Sequence, residues 1–217
     1  MKKIILMIVT IILMVLNSNA KEYIREGDNN SLGIQLGLKI GTNYSNIYDT
    51  KGEEFTANGK FGLAAGAFAS IPIGSLFAFN PEFLFSQKGF KATSTILGTS
   101  YNFTRTSNYI DIPLLVALKP IQFVTIVAGP QYSFLIKQKD EFSNSTYNVE
   151  QVQIFDNNNI RKNTLCFTGG LDINIKYLVF SARAGWDMQN NKGDGTSTNP
   201  RYKNVWYQFT LGYRLYN

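Results

Sequence analysis

From Asn204 to Asn217 the chain alternates. Val205, Tyr207, Phe209, Leu211, Tyr213 and Leu215 are apolar or aromatic, with Gln208, Thr210, Gly212 and Arg214 between them. A period of two puts the two sets on opposite faces of one β-strand, one greasy and one wet. The same alternation predicts seven strands upstream. At 32–44, Leu32, Ile34, Leu36, Leu38 and Ile40 oppose Gln35, Gly37, Lys39, Gly41 and Asn43. At 60–71, Phe61, Leu63, Ala65, Ala67, Ala69 and Ile71 share a face. At 76–88, Phe77, Phe79, Phe83 and Phe85 oppose Asn80, Glu82, Ser86 and Lys88. At 107–118, Ile110, Ile112, Leu114, Val116 and Leu118 oppose Tyr109 and Asp111.

The fifth strand, 122–137, sets Val124, Ile126, Ala128, Tyr132, Phe134 and Ile136 against Thr125, Gln131, Ser133 and Lys137. The sixth, 164–176, sets Leu165, Phe167, Leu171, Ile173 and Ile175 against Thr168, Asp172, Asn174 and Lys176. The seventh, 178–188, sets Leu178, Phe180, Ala182, Ala184, Trp186 and Met188 against Ser181, Arg183 and Asp187. Each is long enough for a tilted membrane crossing, which takes about 9–11 residues. The connections alternate: 72–75, 119–121 and the joint near Tyr177 are tight, whereas 45–59, 89–106, 138–163 and 189–203 are long and polar. Short turns on one side and long loops on the other, with an even strand number, predict an all-β, eight-stranded antiparallel up-and-down transmembrane β-barrel. Both of its termini would lie on the periplasmic side.

Glycine agrees with this face assignment. Gly37, Gly41, Gly62, Gly66, Gly129, Gly170, Gly185 and Gly212 all fall on the wet face, as a narrow lumen with little room for side chains requires. Pro81, Pro113 and Pro130 lie inside proposed strands. A closed barrel has no free edge for them, so bulges or local loss of pairing are expected there.

The first residues have a different pattern. Lys2 and Lys3 precede an apolar run, Ile4–Leu16, with Ser18 and Ala20 at the positions of a cleavage signal. This predicts a secretory signal peptide over 1–20, cut after Ala20. The run is shorter than the roughly 20 residues a membrane anchor needs. The expected organisation is then a periplasmic segment at 21–31 and a barrel at 32–217. Without another long apolar run, the remaining chain would cross a membrane as strands. Export makes nucleic acid an unsuitable partner for the formal charge of +6. Membrane lipid and lipopolysaccharide phosphates suit basic rims.

The segments Tyr109-Ile-Asp-Ile-Pro-Leu-Leu and, at 128–135, Ala-Gly-Pro-Gln-Tyr-Ser-Phe-Leu resemble the PorT-like outer-membrane β-barrel family of Bacteroidota. So do Leu36-Gly-Leu-Lys-Ile-Gly-Thr-Asn-Tyr-Ser and Leu211-Gly-Tyr-Arg-Leu. The resemblance spans roughly 32–217 and implies an eight-stranded barrel in a Gram-negative outer membrane. A named member of that family is linked to protein secretion and gliding. No motif in this chain carries that role over.

The wet faces hold the candidate chemistry. Counted from the short-turn end, Lys39, Glu82, Asp111, Asp172 and Arg183 fall at similar heights, with Arg214 slightly lower. Unpaired charges in a narrow interior are costly, so these six are expected to form an ion-pair cluster that closes the lumen. The alternative is a gate for small ions in a narrow pore.

The chain has no histidine and a single cysteine, Cys166. That removes Ser-His and Cys-His nucleophile pairs and any intrachain disulfide. Glu82 and Asp111 as paired carboxylates fit charge balance better than acid–base catalysis. The polar stretch from Asp187 to Gly195 lacks calcium-loop spacing. The expected protein is therefore a monomeric, non-enzymatic barrel without cofactor or metal, in a structural or interaction role towards surface or periplasmic proteins. A soluble exported ligand-binding barrel would need the faces inverted, with the Phe rows lining a cavity.

Overall fold

A computed structural model describes residues 33–48, 56–96, 99–143, 148–153, 162–189 and 202–215. The proposed signal peptide, the 21–31 segment and the tips of the long connections lie outside these residues.

The compact unit, Ile34–Asn217, is built from strands β1 (Gln35–Tyr48), β2 (Thr56–Ile73), β3 (Phe77–Ile96), β4 (Thr99–Ile121), β5 (Val124–Ser143), β6 (Asn148–Gln153), β7 (Asn163–Ile175), β8 (Leu178–Asp187) and β9 (Lys203–Arg214). Each pairs antiparallel with its neighbour in the meander, and β1 pairs with β9, from Gly37↔Arg214 to Tyr48↔Lys203. Eight strands close the ring: β5 meets β4 on one side and β7 on the other. β6 stands outside the ring, paired to the far half of β5. Full closure leaves no unpaired edge within the membrane, where each unsatisfied backbone group costs several kcal/mol. The short turns are tight. Lys176 takes φ 52° in the β7–β8 turn and Gly74 takes φ 79° in the β2–β3 turn.

The outward face is apolar. Ile40 is 61 % exposed, Phe61 68 % and Val116 58 %, while Lys39, Asn43, Glu82, Asp172 and Arg183 are buried inside. In water such a surface would be a continuous apolar patch, whereas in hydrocarbon it is the required exterior. The inverted, cavity-lining arrangement of a soluble ligand-binding barrel is therefore excluded. Phe77, Tyr132, Trp186, Tyr207 and Tyr213 also face outward. Tyr177 stacks on Tyr213 beside the short turns, and Tyr44 tilts against Phe61 nearer the other end. Amphipathic rings favour those interfacial positions.

The segments 89–106 and 138–163 differ from the expected loops. The β3–β4 ladder continues through Phe90↔Arg105 to Ile96↔Thr99, and β5 runs on to Ser143 with β6 beside it. These stretches are rich in Thr, Phe and Tyr, which fit a pleated ladder even where no lipid-facing stripe exists. At 20, 23 and 20 residues, β3, β4 and β5 exceed a crossing by about ten residues each.

In that extension the polarity of the two faces inverts. Ile47, Phe90, Ala92 and Tyr202 form a buried cluster inside, with Ala57 and Phe103 packed on it. Asn58, Lys91, Thr93 and Asn102 face outward and are exposed, joined across the ladder as Asn58↔Lys91 and Thr93↔Asn102. Water replaces lipid at this level, so the apolar side chains turn to the axis.

Pairing passes the three prolines without a change of register. Instead the ladder is interrupted beside them, between Pro81↔Leu114 and Leu84↔Asp111, and between Pro113↔Gln131 and Val116↔Ala128. The bulges lie elsewhere: between Gly59 and Ala64 of β2, at Ile136 of β5 opposite Asn108/Tyr109, and between Leu118 and Ile121 of β4. The β4–β5 bulge sets Lys137 opposite Asn108 and Leu135 opposite Tyr109. The parity of β5 flips there. Lys137 is exposed, contrary to its expected inward place, and Gln138 and Asp140 take the inward positions.

Candidate functional site

The closed sheet directs wet-face side chains from every barrel strand to one axis, where they form three tiers. The lowest, nearest the short turns, joins four of the six expected residues. Lys39 Nζ of β1 lies 2.7 Å from Glu82 Oε1 of β3. The same carboxylate meets Arg183 of β8 at 3.5 Å, and Arg183 meets Asp172 of β7 at 2.7 Å. This chain of alternating charge crosses the lumen. Arg183 also donates to the carbonyl of Leu171, 3.0 Å away. Phe68, whose ring lies 5.1 Å from the Lys39 ammonium, fills the space beside it. Gly37 makes that possible, because a Cβ there would sit 2.4 Å from the Phe68 ring. Two cations and two carboxylates balance, which is what keeps a buried network tolerable.

Asp111 and Arg214 do not join this network. Asp111 pairs with Lys88 of β3, at 2.9 Å, in the middle tier. Arg214 bonds Asn174 Oδ1 and the carbonyl of Lys176 instead of a carboxylate. Height counted along each strand misplaced them because barrel strands tilt and stagger. A residue's level along the axis depends on shear as well as on its distance from the turn.

The middle tier is the most enclosed. The Lys88 ammonium lies 3.6 Å from the centroid of the Trp206 indole and 5.0 Å from that of Tyr109. Lys88 is 2 % and Trp206 1 % exposed. The indole lies on Gly185, where a Cβ would meet it at 2.4 Å. Asp187 accepts from the backbone and side chain of Asn204, at 2.9 and 2.6 Å, and Cys166 Sγ lies 3.2 Å from it. Asn43 ties three strands together, donating to Ser86 at 2.9 Å and accepting from Gln208 at 2.9 Å. Cys166 faces inward as its parity requires and is fully buried.

The upper tier lies in the extension beyond the lipid-facing band. Arg105 of β4 clasps Asp140 of β5 through two nitrogens, at 2.8 and 2.7 Å, and donates to the Tyr202 hydroxyl. Its guanidinium also approaches the Phe90 and Phe103 rings, at 5.9 and 5.2 Å from their centroids. Burial pushes the Tyr202 phenol above its ordinary pKa despite the neighbouring Arg105 cation.

The sequence carried unused signals for these two tiers. Lys88 already had wet-face parity. Arg105 and Asp140 become obvious partners once the ladder is extended, since they are register neighbours.

Among the described residues, packed side chains surround a small axial cavity of about 20 Å3 near the short turns, lined from all eight ring strands. That is room for about one water. The one thiol, Cys166, meets the Asp187 carboxylate in the middle tier, where both are fully enclosed. Among the described residues, no three Cys, Asp or Glu side chains converge to hold a metal ion.

A family model described as an outer membrane protein β-barrel domain matches residues 22–192. No curated protein sequence matches the chain. Among solved structures, the attachment invasion locus protein Ail of Yersinia pestis, in complex with the heparin analogue sucrose octasulfate, is similar with 14 % identity. The likeness covers 84 % of this chain and 99 % of that one, with a TM-score of 0.47. The neisserial surface protein NspA shares 10 % identity over 83 % of this chain and 98 % of its own, with a TM-score of 0.42. The outer membrane protein OprG of Pseudomonas aeruginosa shares 9 % identity over 85 % and 95 %, with a TM-score of 0.35.

Proposed function

This chain belongs to the outer membrane protein β-barrel domain family, and on that premise we propose that it is a closed barrel presenting its membrane-distal sheet to other molecules. The observation that carries the closed state is the ion network from Lys39 to Asp172, which spans the lumen in the lower tier. Above it, Trp206 and Lys88 fill the axis. A hydrated ion would have to displace both tiers, at the cost of uncompensated buried charge.

In this reading the short turns face the periplasm and β3–β6 project from the outer surface. The signal peptide at 1–20 delivers the chain, and the barrel acts as a monomer. Lys91 and Lys137, exposed beyond the apolar band, suit contact with lipopolysaccharide phosphates. The protruding sheet suits surface proteins. The likeness to PorT-like barrels of Bacteroidota supports this placement. It gives no ground for a secretion role. Catalysis is absent from the proposal because the chain has no histidine and its single thiol is sealed in the lumen.

The test is a planar-bilayer recording of the refolded protein. A closed barrel gives no unit conductance. Discrete steps whose size changes in Arg183→Ala would establish the narrow pore instead.

A further inference from the structure

We propose that the short-turn mouth of the barrel holds a binding site for one small monovalent anion of chloride size, gripped by Lys119 and Arg214.

The small axial cavity is the starting point, and charge in its wall is unbalanced. Lys39 and Arg183 are matched by Glu82 and Asp172 in the lower tier. Lys119 at the end of β4 and Arg214 at the end of β9 also line the cavity. Neither forms an ion pair among the described residues. The guanidinium of Arg214 donates to neutral oxygens of Asn174 and Lys176, and its Nε is buried without a hydrogen-bond partner. Lys119 feels Arg214 as a like charge. Glu82 and Asp172 also line the cavity, but they are already paired with Lys39 and Arg183, so Lys119 and Arg214 leave the mouth with a surplus of positive charge.

Asn80, only 8 % exposed, lines the same space and leaves its amide oxygen unpartnered. Its amide can turn either face inward, since oxygen and nitrogen are alike in shape. Turned with its nitrogen towards the axis, it adds a neutral donor to the two cations. The cavity, of about 20 Å3, is on the scale of a water molecule, so a halide suits its size. Charge-assisted hydrogen bonds in so enclosed a place outweigh neutral ones. The site lies at the short-turn end of the lumen, bordered on the other side by the lower tier. It therefore requires no passage of ions through the barrel, and it stands whether or not the protein conducts.

The experiment uses the full chain refolded in a nonionic detergent free of lipid and phosphate. Chloride is titrated against gluconate at constant ionic strength, and the unfolding midpoint is followed. Saturable stabilisation by chloride is the expected result. Lys119→Met and Arg214→Gln should each weaken the half-saturating concentration by about tenfold or more, the loss expected from one charge-assisted bond. Lys119 is half-exposed at the barrel rim, so its variant tests the site even if Arg214→Gln refolds poorly. In bromide-soaked crystals an anomalous peak is expected between the two cations. A response that is linear in chloride, or equal in the wild type and Lys119→Met, overturns the proposal. So does a structure in which the terminal carboxylate occupies the mouth and bromide does not.

Discussion

Replacing Lys88 with Met removes a buried charge while keeping most of the side-chain volume. In the native barrel the ammonium touches Asp111 at 2.9 Å, and its distance to the Trp206 centroid is 3.6 Å. Both ends of the ion pair are about 1 % exposed, so solvent cannot take over from the lost partner. Breaking a buried pair from one side costs about 3–5 kcal/mol. Loss of a desolvated cation–π contact adds about 2 kcal/mol. Met fills the space, so no large cavity term is expected. A loss of about 5–7 kcal/mol is a large share of the roughly 5–15 kcal/mol that holds an ordinary domain together.

Asp111→Asn should cost less, because Lys88 keeps its two aromatic faces and lies near Asp187. The double variant Lys88→Met/Asp111→Asn buries neither charge. It should therefore be more stable than Lys88→Met alone, with a coupling of about 2 kcal/mol between the two positions. The folded fraction can be read against urea from the band that resists SDS without heating. The reasoning fails if the two single effects add within about 0.5 kcal/mol, or if Lys88→Met costs under about 1 kcal/mol.

Three other outcomes follow from the same geometry. The chain has two tryptophans: Trp186 is 41 % exposed on the outer face and Trp206 is 1 % exposed inside. In vesicles of brominated lipid, Trp206→Phe protein should be strongly quenched and Trp186→Phe protein protected; the reverse would invert the barrel faces. Gly185→Val should displace the Trp206 indole and lower stability by about 3 kcal/mol or more through overpacking, with Gly185→Ala milder; an unchanged urea midpoint for Val would contradict the contact. Tyr202 supplies a pH signature. Its pKa is raised in the fold, so its contribution is intact below the unfolded value near 10 and is lost as pH rises, by about 1.4 kcal/mol per unit. Tyr202→Phe should flatten that alkaline fall in a urea-midpoint profile, and an unaltered slope would show that the phenol ionises freely.

How much of this was legible in the sequence depended on where the chain meets lipid. Inside the apolar band, periodicity alone assigned each residue to lumen or hydrocarbon, because a one-residue slip would expose every charge to lipid. The structure brings Lys39, Glu82, Asp172 and Arg183 to one level. Lys137 failed because the bulge opposite Asn108/Tyr109 inserts Ile136 into β5, and parity carries no information across an insertion. Asp111 and Arg214 failed for a different reason. Their faces were right and their axial levels were wrong, since shear is a property of closure and leaves no mark on any single strand.

The largest misreading, of 89–106 and 138–143 as loop, exposes the rule that produced it. Polar residues were equated with loops because a lipid-facing strand must show an apolar stripe. Above the band that requirement is gone, and the core moves from outside to inside. Phe90 is 2 % exposed on the same inward face as Glu82, Ser86 and Lys88, separated from Lys88 by two positions along β3. The change therefore occurs within a few residues of one strand, without a turn to mark it. On β4 the switch falls between Tyr109, in contact with Lys88, and Phe103, packed on Phe90. At this level the inward face gains the buried cluster of Ile47, Phe90, Ala92 and Tyr202. Arg105 sits beside this cluster, with its charge clasped by Asp140 and its guanidinium close to the rings of Phe90, Phe103 and Tyr202. This tier caps the lumen and also anchors the base of the projecting sheet. Closure of the barrel and presentation of β3–β6 consequently rest on the same side chains.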